Sequence, residues 1–211
     1  MGEASDHAAG AAVQVAGVAG QGAGLVTVQQ WEQLRRCLHD NTVPLDVRVA
    51  GSLLLLFGIR ASHLVRIQAD HIEHTSGATH LRVAEHALLL PPLVATLALT
   101  QRDRDDLRSV FGRASASHTR WLFPGIRPGL AMDAHSLAFK LNDHGINVRA
   151  ARNTALGELA ADLPPPVLAE LVGIGITTAT RWARYASRDW RPYLAARCGI
   201  SSILSVRTSL T

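Results

Sequence analysis

The sequence predicts a mainly helical domain carrying one small antiparallel β-sheet, and three observations support this. Apolar residues recur at three- and four-residue spacing through residues 27–58 and again after residue 93. Only "HIEHTSGATHLRVAEHALLLPP" shifts to short β-compatible runs, broken at Ser76-Gly77 and around Glu85 and His86. Proline and glycine then punctuate a helix-rich C-terminal half at "WLFPGIRPG" and "DLPPPV".

Taken in order, residues 1–26 are rich in Gly and Ala, have little to bury, and read as a flexible leader. Thr27 and Gln30 form a capping-box pattern ahead of a helix on which Trp31, Leu34 and Leu38 recur. "PLDVRVAGSLLLLFG" opens with Pro44 in a first-turn position and is apolar enough for a central helix. After Gly58, "IRASHLVRI" reads as a turn and a short helix capped by Ser62. Two or three strands occupy 71–92, and a helix starts at Leu93. A polar linker surrounds "GRASASHTR", and "WLFPGIRPG" is an extended crossing. Helices are expected at about 133–144, 149–162, 165–172 and 177–187, with a short one near 190–197. The folded domain spans 27–198 and a Ser-rich tail spans 199–211.

A formal charge of +4 and a pI near 9.8 permit a polyanionic partner without requiring one. Lys140 is the only lysine, so nearly all cations are arginines. Cys37 and Cys198 have no ligand spacing, and with no basic, leucine-rich signal segment the chain reads as reduced and cytoplasmic. "GSLLLLFG" is too short to span a bilayer, so no membrane partner is expected. His63, His71, His74, His80 and His86 crowd one region beside Asp70, but alternating strand faces keep them from converging. No metal and no cofactor are expected.

"VRAARNTALGELAADL" sets Arg149 and Arg152 on one face at the head of a helix. Paired planar guanidinium groups there suit a phosphate or carboxylate, although a solvated helix end would carry the same residues. "LLLLFGIRASHLVRIQADHI", "LRVAEHALLLPP", "WLFPGIRPG" and "RAARNTALGELA" together resemble the catalytic domain of the tyrosine recombinase, or phage integrase, family across residues 27–190. The resemblance implies that family's fold and double-stranded DNA as partner, with DNA recombination or integration as the setting and another recombinase chain as a possible companion. It puts Arg60 and Arg152 on the two phosphate-gripping catalytic arginines and Thr154 on the usual threonine. Arg149 stands in place of the first histidine, His63 in place of an acidic residue, and His86 at or next to the lysine position.

The departures imply a degenerate, inactive enzyme. "LVGIG" puts Ile174 where the family has a phosphate-orienting histidine. Counting to the nucleophile position reaches Trp182 or Ala183, leaving Tyr185 two residues late, a rotation of roughly 200° on a helix. The family's N-terminal core-binding domain has no counterpart in the leader, as expected for a truncated relic or a split gene.

Two rival readings remain. Residues 165–187 fit a helix-turn-helix, with Gly173 in the turn, Ile174 and Ile176 beneath, and Ala179 and Trp182 facing inward. Arg181 and Arg184 then face a nucleic acid, making the chain a non-catalytic DNA-binding module. Alternatively, the arginine-bearing helices only solvate a structural or interaction domain.

Overall fold

The computed structural model describes residues 28–83, 86–104, 119–127 and 129–187, with no description of the His86 side chain. The leader, Thr27 of the expected capping box, the linker core, the helix near 190–197, Cys198 and the tail lie outside the described residues. The mainly α chain with one small sheet is as expected.

The first helix, α1 (Val28–His39), packs on α2 (Leu45–Phe57), the centre of the core. Val47, Val49, Ala50, Leu53 and Leu54 of α2 are wholly buried, so this helix is covered nearly all round by α1, α4, α5 and α6. The buried face of α1 runs through Gln30, Leu34 and Cys37, which leaves Trp31 57% exposed. Arg48 is buried and satisfies the end of α1. Its Nε and Nη2 donate to the carbonyls of Cys37 and Leu38 at 2.8 Å each, and its Nη1 donates to Asn41 Oδ1 at 2.7 Å. These are carbonyls that a helix C-terminus leaves without partners.

Gly58 ends α2 in the left-handed conformation, φ 62°, where a side chain would be strained. The short α3 (Ala61–Leu64) follows. Arg60 is its N-cap and makes no side-chain cap bond, so the expected Ser62 cap is not formed and Ser62 lies inside the helix. A 3-10 turn leads into β1 (Ile72–Thr75), β2 (Ala78–Val83) and β3 (His86–Leu89), an antiparallel meander in the order β1-β2-β3. Ser76 and Gly77 both have positive φ, 54° and 81°, as a two-residue hairpin turn matched to strand twist requires.

After α4 (Pro92–Arg102), the "WLFPG" segment crosses as extended chain. Trp121 bridges Gln68, Pro124 bridges Ala131, and the buried Gln101 side chain donates to the Leu122 carbonyl at 2.9 Å. The helical half comprises α5 (Ala134–Asp143), α6 (Val148–Asp162), α7 (Pro165–Val172) and α8 (Ile176–Ala186). Asp133 caps α5 by accepting from the His135 and Ser136 amides, and Asn147 caps α6 by accepting from Ala150. Lys140 Nζ on α5 meets Asp46 Oδ2 on α2 at 2.7 Å. Among the described residues no helix is long and apolar enough to cross a membrane.

Candidate functional site

Two backbone features bring residues distant in sequence together around α6. The left-handed turn at Gly58 points the chain into Ile59, which is buried, and then Arg60, which is exposed. That turn presses on α6: a Cβ at Gly58 would lie 3.2 Å from Leu156 Cγ and 3.4 Å from the Arg152 carbonyl. Glycine therefore permits the close approach that puts Arg60 within electrostatic reach of Arg152.

Arg152 is half-buried, and its Nε and Nη2 are shut off from solvent with no hydrogen-bond partner among the described residues. Burial first, and then the positive field of Arg60, push its pKa down, though a guanidinium stays charged. Buried donors without acceptors are costly, and a cation with a second cation beside it is costlier. An oxyanion is the chemical group that relieves both conditions.

His63 lies on α3, three residues after Arg60. Its ring abuts the α7–α8 turn, where a Cβ on Gly173 would lie 3.5 Å from Cε1 and 3.7 Å from Nδ1. Burial, then Arg60, Arg66 and Arg152, lower its pKa from the ordinary 6.5. In the sequence His63 stands out as a departure from an acidic residue and as one of a histidine-rich region, with nothing to link it to Arg152. Its neighbours come from α6 and from a turn more than a hundred residues away, which local pattern cannot show.

The other expected residues are distributed differently. Arg149 is exposed on the first turn of α6. His86 opens β3 opposite Val83, and its side chain lies outside the described residues. Arg181 and Arg184 are exposed on α8 and, with Thr177, Thr178 and Thr180, line a 480 Å³ recess separate from the Arg60–Arg152 pair. Gly173 takes the left-handed conformation between α7 and α8, Ile174 and Ala179 are buried, and Trp182 packs on the core. Ile176 is 52% exposed rather than packed beneath, because it is the first residue of α8 at the surface. Tyr185 is half-exposed and its ring leans on that of Trp182, centroids 6.1 Å apart. In the histidine-rich region, His74 Nδ1 bonds Thr79 Oγ1 at 2.8 Å and His71 Nδ1 accepts from the Gln68 amide. Among the described residues no group of His, Cys, Asp or Glu is arranged to hold a metal.

A larger recess of 810 Å³ between α1, the β1–β2 turn, α4 and the C-terminal half of α6 is lined mainly by apolar groups such as Trp31, Leu34, Leu90 and Leu99. None of the arginines above lines it.

No protein-family model and no curated protein matches the sequence. Solved structures do match the fold. XerA recombinase aligns at 13% identity and TM-score 0.53, over 79% of this chain and 63% of its own. XerH site-specific recombinase, in a post-cleavage complex with its palindromic difH substrate, aligns at 13% identity and TM-score 0.55, over 83% of this chain and 52% of its own. The chain thus spans between half and two thirds of the length of these relatives. A mostly helical body, a three-stranded antiparallel meander and these structural relatives together give the chain the fold of a tyrosine recombinase catalytic domain.

Proposed function

We propose that the protein binds double-stranded DNA through a phosphate seat centred on Arg152 and Arg60, with Arg149 on the rim, and that it does not cleave the strand. The observation that carries this reading is the pair of buried, unpartnered N–H donors on Arg152 lying in the field of a second arginine. Arginine forks match phosphate geometry, and two donors already stripped of water gain more from a charged acceptor than from staying unpaired. XerH, bound to its substrate, supports the same type of partner.

Cleavage needs an in-line oxygen nucleophile and a proton for the leaving oxygen. Trp182 and Ala183 have no such oxygen, and Ile174 offers no hydrogen bond. Tyr185 is turned toward Trp182. His86 is the one acid that the family comparison leaves, and an acid without a nucleophile is insufficient. A nicked suicide substrate checks this: we expect no covalent protein–DNA adduct. An adduct that disappears in Tyr185→Phe overturns the inactive assignment.

The second reading, a helix-turn-helix docking through α8, is favoured by one specific feature. Arg181 and Arg184 stand exposed beside three threonine hydroxyls on one recess. Titrating a duplex against Arg152→Ala and Arg184→Ala over a salt series separates the two. Each lost phosphate contact flattens the slope of log affinity against log salt by about 0.9. We expect the flattening in Arg152→Ala. Flattening confined to Arg184→Ala moves the interface to α8, and no change in either removes DNA as the partner.

A further inference from the structure

We propose that His63 is the proton-coupled member of the Arg60–Arg152 seat, neutral while the seat is empty and an imidazolium when an oxyanion occupies it. The inference rests on the phosphate-seat reading and adds a residue and a pH dependence to it. The imidazole stands three residues after Arg60, one turn along α3, and within electrostatic reach of Arg152. It is held between α3, which Arg60 caps, and the Gly173 turn, where a Cβ would stand in ordinary contact with the ring, 3.5 Å from Cε1. Gly173 is in the left-handed conformation, so the open side of that turn is fixed by the backbone and not by a mobile side chain.

The charged groups acting on the ring are Arg60 and Arg66 from its own segment and Arg152 from α6. Helix α5 packs against α3, but its His135, Lys140 and Asp143 exert no such influence. Glu170 of α7, three residues before Gly173, is exposed and is not among the groups acting on the ring. Among the described residues the charges acting on His63 are therefore positive. In the empty seat, burial and three cations oppose a fourth positive charge. A bound oxyanion reverses the local field, neutralises the repulsion from Arg152 and Arg60, and offers an acceptor to an imidazole N–H. The proton comes from solvent and no covalent bond changes. Linkage then requires the converse: if the anion raises the affinity for the proton, the proton raises the affinity for the anion by the same factor.

The sign is fixed by these residues alone. Binding tightens as pH falls through the range between the empty-seat and occupied-seat pKa values of His63. A shift of one unit between those states corresponds to about a tenfold change in affinity.

The test uses two anions with no titration of their own in the working range, inorganic sulfate and the phosphodiesters of a fluorescent 20-base-pair duplex. The parent, His63→Gln and Arg152→Ala are titrated with the duplex at pH 8.0 and pH 5.5 at constant salt. We expect about tenfold tighter binding at pH 5.5 in the parent, pH-independent binding in His63→Gln, and weak binding at both pH values in Arg152→Ala. In parallel, the His63 ring resonance of the parent is followed against pH with and without sulfate. We expect sulfate to raise its midpoint. This measurement needs no variant, so it decides the matter even if His63→Gln fails to fold. An unmoved midpoint, or a pH dependence that persists in His63→Gln, overturns the role of His63 while the phosphate seat stands on the loss in Arg152→Ala. If Arg152→Ala binds the duplex as tightly as the parent, the phosphate-seat reading itself fails, and the proposal with it.

Discussion

Replacing Arg152 by Met separates what this guanidinium does for the fold from what it does for a ligand. Among the described residues its two buried donors have no acceptor, and its charge lies in the field of Arg60. A methionine of similar length removes both penalties and keeps the packing. Because the group is only half-buried, solvent screens the effect, and we expect a gain of about 1 kcal/mol by urea denaturation. The same variant should no longer be stabilised by added sulfate, whereas the parent should be. A destabilised variant that still responds to sulfate contradicts the assignment. His63 makes a separate contribution to the pH profile. Its folded-state pKa is lowered, so the unfolded chain takes up the proton first as pH drops below about 6.5. In anion-free buffer, stability contributed by the neutral ring is present above that pH and is lost as pH falls through the folded-state value. The loss between pH 7.5 and 5.0 should be smaller in His63→Gln. Asp40 and Asp133, whose pKa values lie below the ordinary 3.8, remain charged throughout that window and do not obscure it. At the other extreme, burial pushes the Cys37 thiol up to about 11. About one thiol in a thousand is then thiolate at pH 8, so peptide mapping after brief iodoacetamide treatment should find Cys37 unmodified until the protein unfolds. Rapid native labelling would show that α1 opens from α2.

At the scale of elements, the joint between α2 and α3 governs the site. Gly58→Ala has to hold a side chain at φ 62° and place a methyl group 3.2 Å from Leu156 and 3.4 Å from the Arg152 carbonyl. The left-handed backbone alone costs about 1–2 kcal/mol. Since the obstruction lies on the turn of α6 that carries Arg152, we expect anion affinity to fall together with thermal stability. Unchanged binding in a destabilised Gly58→Ala protein would show that the seat tolerates displacement of α6. Much of this level was legible in the sequence, because its signals are local. Ser76-Gly77 marked the hairpin, Gly58 and Gly173 marked helix ends, and the proline run at 164–166 separated α6 from α7. The misreadings arose where tertiary packing decided. Trp31 shares the apolar period of α1, but the face turned to α2 is that of Gln30, Leu34 and Cys37, with Gln30 donating to the Leu55 carbonyl. Ser62 is a good capping type, yet α3 begins one residue before it and Arg60 occupies the cap.

Across the whole molecule, what the sequence could not show is which distant residues meet. Arg60 and Arg152 were paired through family resemblance. That burial leaves Arg152 donors unmatched, and that His63 lies against the Gly173 turn within the field of Arg152, depends on segments converging from α3, α6 and the α7–α8 turn. The fold is shared with proteins that align at only 13% identity, so the backbone path is alike while most side chains differ.

The single lysine gives the molecule an unusual response to acylating reagents. Every other permanently charged side-chain cation is a guanidinium, which such reagents leave charged. Lys140 is committed to Asp46 at 2.7 Å, tying α5 to α2. Acetic anhydride treatment, the terminal amine aside, should therefore leave anion affinity intact and cut one tether between two helices. A small drop in melting temperature with unaltered sulfate binding is the expected outcome. Lysine acetylation can take only one charge from this molecule, from +4 to +3, so it loosens the seating of α5 while every guanidinium stays charged.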